Sequence, residues 1–160
     1  MAGAHEKAIR VRSATRADRD AAIMFIAPTS PRGRASQLLL KTGQGLLWVA
    51  LEGEGPDEKL VGLLLATVQI DAETEDAVGY IQELLVHPAY RRRGVAMHLL
   101  DAAERYFLDE QRFTQLSLAT SPDNDAALRL YRARGYTVYQ VRLSKPLDTT
   151  RRQPENAEST

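Results

Sequence analysis

The segment from His87 to Ala96, HPAYRRRGVA, places three arginines and a glycine directly before a predicted helix. The first N–H groups of a helix have no intrahelical partner and carry a partial positive charge, so this junction attracts anions. Gly94 lets a phosphate approach the backbone without meeting a Cβ, and arginine side chains offer paired donors that suit a pyrophosphate. The alternative is a solvated arginine cluster beside an ordinary helix cap. The segment therefore predicts either a diphosphate site or a charged surface.

A second group of candidate residues lies further along the chain, at the spacing of a helix. Asn124, Ala127 and Tyr131 are spaced i, i+3, i+7, so one helix face carries an amide, a small residue and a phenol. Gly135 and Tyr136 then end this helix and begin a predicted strand. Taken alone, the group has a more ordinary interpretation, in which Asn124 caps the helix and Tyr131 is a half-buried aromatic with a wet hydroxyl.

Glu83 is the first candidate for moving a proton. It lies in a predicted strand, 80–86, whose alternation puts Ile81, Glu83 and Leu85 on one face. A carboxylate among apolar neighbours can act as a general base, directly or through a water. The alternative is an outward-facing carboxylate or one paired with an arginine.

The histidines predict no metal site. His5, His87 and His98 lack metal-ligand spacing, and the chain has no cysteine, so we expect no metal requirement. His87 is a second candidate base because an unperturbed imidazole changes charge near neutral pH. Its position just before Pro88 favours a turn role instead.

The elements that must position these residues follow from the spacing of apolar residues. From Gly94 onwards the spacing is helical, whereas the preceding segment alternates with the period of a strand. The predicted strands are 9–12, 46–51, 60–70, 80–86, 113–119 and 136–143, and the predicted helices begin near Thr15, Arg34, Gly94 and Asp125.

This order of elements predicts an α/β fold, a mixed sheet with helices packed on it. Residues 80–119 read as a strand, helix, strand unit of the right-handed crossover type, with function at the carboxyl end of its first strand. We expect a flexible arm at 1–8, a single domain at 9–147 and a disordered tail at 148–160, whose only apolar residue is Ala157.

Composition excludes several classes of function. The 160 residues are 44% hydrophobic and 26% charged, which is typical of a soluble globular protein. Lysine plus arginine equals aspartate plus glutamate, 21 each, so no net charge draws the chain to nucleic acid or an anionic membrane. A nucleic-acid binder using Arg91 to Arg93 would need a steep salt dependence. No segment is long and apolar enough for a membrane span or a signal peptide, so we expect a cytoplasmic protein.

Together the two motifs resemble the signatures of the GNAT superfamily of N-acetyltransferases. The central signature of that family is Gln/Arg-x-x-Gly-x-Gly/Ala after a strand, here Arg91-x-x-Gly94-x-Ala96. The later signature is Asn-x-x-Ala-x-x-x-Tyr-x-x-x-Gly-Phe/Tyr, here Asn124 to Tyr136. The order and separation also match, and the resemblance covers residues 9–147. It implies a mostly antiparallel sheet of six to seven strands with a splayed parallel pair and about four helices.

The resemblance implies an acetyl-CoA-dependent enzyme that moves an acetyl group to a primary amine by direct attack. In that family the strand before the phosphate turn carries a bulge and splays from its neighbour, so pantetheine amides pair with its backbone. The cofactor-binding residues that it implies here are Leu84, Leu85, Val86, Arg91, Arg92, Arg93, Gly94, Val95, Ala96, Met97, Asn124, Ala127 and Tyr131.

Acetyl transfer needs a neutral amine, a donor for the carbonyl's developing charge and a proton for the departing thiolate. We assign the base to Glu83, the donor to a backbone N–H near Leu85, and the acid to Tyr131. A phenol with a pKa of about 10 can protonate a thiolate whose conjugate acid has a pKa of about 8.5.

We expect a small-molecule amine as acceptor, ahead of a protein N-terminus or a lysine. Two acidic loops, 52–58 and 71–76, would steer a cationic amine if they rim the site, although solvated loops explain them as well. Relatives that acetylate ribosomal-protein N-termini tend to carry a carboxylate on the strand before the asparagine motif, and 113–119 has none. The alternative function is a catalytically silent acyl-CoA-binding or regulatory module. A homodimer is left open.

Overall fold

The computed structural model of this chain describes residues 8–27 and 33–147. These residues fall into two compact units that divide between Ala119 and Thr120. The predicted arm and tail lie outside the described residues, except for Ala8. The prediction of a single domain over 9–147 stays a prediction.

The first unit contains a five-stranded mixed sheet with the strand order β1-β2-β3-β4-β5. The first four strands pair in antiparallel fashion, and β4 and β5 are parallel. The predicted mixed α/β class is confirmed, but among the described residues the sheet has five strands rather than six to seven. The strands are β1 (Ile9–Ser13), β2 (Leu46–Glu52), β3 (Lys59–Ile70), β4 (Ala77–Val86) and β5 (Leu116–Leu118).

Three helices of the first unit cover the two faces of this sheet. They are α1 (Asp18–Ile26), α2 (Gly33–Thr42) and α3 (Val95–Arg105), and a single π turn, Tyr106–Glu110, continues α3. No helix among the described residues is long and apolar enough to cross a membrane.

Thr15 and Asp18 interact at the start of α1 as predicted, but they form only half of the predicted capping box, because the helix begins at Asp18 and its N-cap, Ala17, makes no side-chain cap bond. The N–H and Oγ1 of Thr15 donate to Oδ2 of Asp18 at 2.6 and 2.8 Å, and Arg12 donates to the same oxygen at 2.8 Å. The Arg12 guanidinium, together with these bonds, holds the pKa of Asp18 well below its usual range.

The hydrophobic core lies on both faces of β3. On one face α3 packs so closely that a Cβ on Gly62 would stand 3.0 Å from Val95 Cγ1 and 3.4 Å from Leu99 Cδ1. On the other face, side chains of α1 and α2 join those of β3. This second cluster consists of Ala22, Ile26, Leu40, Leu63 and Leu65.

A bulge in β4 decides which way its side chains point. Glu83 pairs with Leu65 of β3 and Ile81 pairs with the next residue, Ala66, so Gln82 is an additional residue on β4. Cross-strand partners share a face, and Leu65 and Ala66 point to opposite faces. The prediction that Ile81 and Glu83 share a face is therefore wrong, because the inserted residue reverses the alternation.

Over residues 120–147 the second unit contains one helix, α4 (Asp125–Ala133), close to the predicted span 125–134. The predicted strand over 136–143 is wrong, because residues 136–147 form no strand. Its side chains Val138, Val141 and Leu143 are exposed. A strand forms only where a neighbour pairs with its N–H and C=O groups. Within residues 120–147 there is no other strand to do so.

Candidate active site

The turn between β4 and α3 has two residues in the left-handed region. Arg92 has a φ of 60° and Gly94 a φ of 76°. Residues with a Cβ are strained in this region, so glycine is the favoured residue at position 94. Among the described residues other than its two chain neighbours, the atom nearest to a Cβ on Gly94 would be His98 Cε1, at 3.8 Å. The backbone of Gly94 thus borders open space that a ligand can enter.

The start of α3 supplies backbone donors beside this glycine. The N–H of His98 makes the first intrahelical bond, to the Gly94 carbonyl at 3.1 Å. The N–H groups of Val95, Ala96 and Met97 precede it and have no backbone acceptor within residues 8–27 and 33–147. Unpaired donors at a helix start are the groups that hold phosphate oxygens in other proteins.

The three arginines of the turn differ in their surroundings. Arg91 and Arg92 are exposed and form no ion pair with the described residues. Arg93 Nη2 lies 3.5 Å from Glu52 Oε1, and its guanidinium lies 4.9 Å from the centroid of the Tyr90 ring. The Tyr90 hydroxyl donates to Glu52 Oε2 at 2.6 Å. The Arg93 side chain is therefore engaged within the protein, whereas Arg91 and Arg92 face solvent.

β4 presents a free backbone edge next to the turn. Its parallel pairing with β5 covers only Gly79 to Ile81. From the bulge onwards, Leu84, Leu85 and Val86 pair with β3 alone among the described residues. An extended ligand can add to such an edge as a further strand.

Glu83 is buried, with 7% of its surface exposed. Ser36 of α2, itself 2% exposed, donates from Oγ to Glu83 Oε1 at 2.6 Å. The outward-facing alternative for Glu83 is therefore wrong. Ser36 was not among the predicted site residues, although it lies four residues before the buried Leu40 and so on the apolar face of α2.

His87 takes the predicted turn role. Its Nδ1 accepts a hydrogen bond from the Ala89 N–H at 3.2 Å, and its ring lies 5.7 Å from the Tyr90 ring. No group of three or more histidine, aspartate or glutamate side chains that could hold a metal ion lies among the described residues.

Asn124 and Tyr131, two of the predicted site residues in the second unit, belong to the structure of helix α4 itself. Asn124 Oδ1 accepts from the Ala127 N–H at 3.2 Å, so Asn124 is the N-cap of α4 and keeps its amide NH₂ as a donor. Tyr131 is half-buried, and burial raises its pKa to about 12. The phenol therefore holds its proton throughout the neutral pH range.

Gly135 and Tyr136 end α4 in a Schellman motif. The Tyr136 N–H reaches the Tyr131 carbonyl and the Gly135 N–H reaches the Arg132 carbonyl, both at 3.0 Å. Gly135 has a φ of 86°, which favours glycine, and the rings of Tyr131 and Tyr136 pack edge to face at 5.6 Å.

The structure thus arranges the predicted residues in two sets. Glu83, Leu84–Val86 and Arg91–Met97 follow one another along β4, the turn and the start of α3 in the first unit. Asn124, Ala127 and Tyr131 lie on α4 in the second unit. The roles of both sets in binding and catalysis stay predictions.

Residues 10–136 match the model of the acetyltransferase (GNAT) family. The chain belongs to this family. The resemblance drawn from the two signatures is confirmed, and the match includes every predicted site residue from Glu83 to Tyr131.

Known GNAT proteins resemble the chain in sequence and fold. The N-alpha-acetyltransferase daf-31 of Caenorhabditis elegans is 34% identical over 89 residues, which are 54% of this chain and 48% of that protein. The chain thus spans about half the length of this curated relative. The aminoglycoside N-acetyltransferase AAC(6')-Iy in complex with CoA has a TM-score of 0.73 at 17% identity, with 91% of this chain and 99% of that chain covered.

A second similar structure is an aminoglycoside acetyltransferase from an uncultured soil metagenomic sample. Its TM-score is 0.67 at 22% identity, with 88% of this chain and 97% of that chain covered. At these identities the two structures show that the chain has the GNAT fold.

Proposed function

We propose that this GNAT protein is an acetyl-CoA-dependent N-acetyltransferase that acetylates a primary amine. The observation that carries the proposal is the open turn at Arg92 and Gly94, with unpaired helix donors on one side and the free edge of β4 on the other. A diphosphate and an extended amide chain are the two ligand parts that such a pair of features fits.

The residues present fit coenzyme A. The N–H groups at the start of α3 would bind the diphosphate, and the exposed guanidinium groups of Arg91 and Arg92 would add charge-assisted bonds. Backbone groups of Leu84 to Val86 would pair with the pantetheine amides. When bound, the co-substrate supplies a thioester, whose acyl carbon an amine can attack.

Glu83 would serve as the general base. An ammonium group with a pKa of about 10.4 must lose a proton before it can attack, and a positioned carboxylate can accept that proton. The bond from Ser36 holds one carboxylate oxygen of Glu83 and fixes the side chain towards α2. An N–H of β4 near Leu85 would stabilise the charge that develops on the carbonyl oxygen.

Tyr131 would serve as the general acid. Its pKa of about 12 ensures that the proton is present at neutral pH. The same high pKa makes it a weak acid towards a thiolate, whose conjugate acid has a pKa of about 8.5 in water. Burial also raises the pKa of a thiol. The pKa of the departing thiol therefore comes closest to that of Tyr131 if the thiolate leaves into equally desolvated surroundings.

We propose a small-molecule amine as the acceptor, with a peptide N-terminus as the second candidate. The acidic loop 52–58 gives little support for a polycation, because Glu58 pairs with Arg10 and Arg12, and Glu52 lies beside Arg93. The relative with 34% identity is an N-alpha-acetyltransferase, which favours the peptide candidate. Both classes of amine therefore belong in the test.

The test has two steps on the purified full-length protein. Calorimetry with CoA should show binding at one site, and a panel of amino sugars, polyamines and peptides should then release free thiol from acetyl-CoA. Absence of CoA binding would remove the proposed function altogether. Tight CoA binding without thiol release over the whole panel would favour the silent acyl-CoA-binding module instead.

A further inference from the structure

Three side chains connect the end of β2 to the phosphate turn, and we call them the Glu52 cluster: Glu52, Tyr90 and Arg93. Both carboxylate oxygens of Glu52 are used, Oε2 by the Tyr90 hydroxyl at 2.6 Å and Oε1 by Arg93 Nη2 at 3.5 Å. The Arg93 guanidinium also lies over the Tyr90 ring, at 4.9 Å, so each member contacts the other two.

The Glu52 cluster contacts the turn on both sides of Arg92, its first left-handed residue. Tyr90 precedes the turn and is 9% exposed, Arg93 follows Arg92, and both are held to a strand of the sheet. A non-glycine residue in the left-handed region is strained and persists only where its surroundings enforce it. The cluster supplies contacts of that kind around Arg92.

We propose that Glu52 and Tyr90 are positioning residues for the cofactor's diphosphate, which act by holding Arg93 and the backbone of the turn in its anion-binding conformation. This inference rests on the proposed function. It gives the three arginines different roles: Arg93 holds the turn, and the side chains of Arg91 and Arg92 face the diphosphate.

The competing view makes Arg93 a direct phosphate ligand, with Glu52 competing for its guanidinium. The two views differ in the sign of one effect. Removing the negative charge of Glu52 near a diphosphate strengthens binding through Coulomb forces alone, and it also frees Arg93. If Glu52 instead positions the turn, its removal weakens binding despite the more favourable charge.

The experiment measures the Kd of CoA by calorimetry for the full-length protein and its variants. We expect Glu52→Gln to raise Kd about tenfold, the size of one lost charge-assisted hydrogen bond. Tyr90→Phe keeps the ring and removes the hydroxyl, so it should raise Kd by a smaller factor in the same direction. Arg91→Ala should raise Kd and also reduce the dependence of Kd on salt, because one charge contact is lost.

Glu54→Gln is the matched control. Glu54 is two residues away and exposed, and it forms no hydrogen bond or ion pair with Tyr90 or Arg93. It loses the same charge, so its Kd should be unchanged or slightly lower. An unchanged or lower Kd for Glu52→Gln as well would overturn the positioning role.

A second readout separates positioning from general loss of structure. Acetyl-pantetheine lacks the diphosphate, so Glu52→Gln should leave its kcat/KM unchanged while lowering kcat/KM for acetyl-CoA about tenfold. Equal losses with both thioesters would show a merely structural role and overturn the inference. If the unaltered protein fails to bind CoA, or Arg91→Ala and Arg92→Ala have no effect, the proposed diphosphate site itself fails.

Discussion

The two signature regions of this protein differ in how far local structure accounts for their residues. In the second region each residue has a local structural role, since Asn124 caps α4, Gly135 ends it, and Tyr136 packs on Tyr131. In the first, the strained turn leaves its helix donors unpaired and Gly94 borders empty space. Local structure accounts for the second signature, whereas in the first the described residues leave the helix donors and the space at Gly94 open to a ligand.

The comparison thus separates residues with a visible structural role from residues that are predicted to bind a ligand. Asn124 has groups suited to both roles, since its carbonyl oxygen caps the helix while its NH₂ group stays available. The contrast between the two regions would disappear if the second proved to carry chemistry or the first proved to be only structural.

The largest expected effect is at Glu83. We expect Glu83→Gln to lower kcat by about 100-fold or more, because a positioned base contributes factors of that size. The rate of the unaltered enzyme should fall as pH drops and the base becomes protonated, and this acidic limb should vanish in the variant. The check is kcat over a pH series, and an unmoved acidic limb would exclude Glu83 as the base.

The next effect compares two glycines with the same backbone strain. Gly94→Ala and Gly135→Ala both put a Cβ at positive φ without a close neighbour, so each should lower the free energy of unfolding by about 1 kcal/mol. Only Gly94→Ala should weaken CoA binding, by about tenfold or more, since its Cβ would face the proposed diphosphate. Equal Kd values for the two variants would make the first signature structural as well.

Tyr131→Phe should have a smaller effect, a loss in kcat of about tenfold with little change in the Kd of acetyl-CoA. Burial raises the pKa of Tyr131 to about 12, so any basic limb at lower pH comes from another group. Tyr131→Phe should therefore lower the plateau of the pH–rate profile without moving that limb. An unchanged kcat would remove Tyr131 from the mechanism and leave the second region purely structural.

The smallest effect separates the two uses of Asn124. Asn124→Asp keeps the capping oxygen, so thermal unfolding should change little, whereas Asn124→Ala should lower the free energy of unfolding by about 1 kcal/mol. Both variants lose the amide donor. A rise in the KM for acetyl-CoA shared by both would identify the NH₂ group as a ligand, and a rise in Asn124→Ala alone would leave Asn124 as a cap only.

Much of the fold was predictable because its signals are local. The apolar spacing that follows Gly94 predicted α3, and the pair Gly135-Tyr136 predicted the end of α4. The basic turn was visible for the same reason, since a glycine and three arginines before a helix are neighbours in the chain. The family followed from two such local patterns and their separation.

Other features depend on residues that are distant in sequence. The alternation of residues 80–86 gave no sign of the bulge at Gln82, because a bulge is defined by the partner strand. The segment 136–143 has the alternation of a strand but forms none, since pairing requires a neighbour that pattern alone does not supply.

The family, the approximate spans of the helices, and the types of residue available for binding and proton transfer could all be read from the chain alone. Only tertiary contacts show which arginine of the turn is engaged, because the fold brings Glu52 against Arg93. They also show that the buried Ser36 binds Glu83. The physical reason is range: capping and periodicity act over a few residues, whereas ion pairs and buried hydrogen bonds join residues that only the folded chain brings into contact.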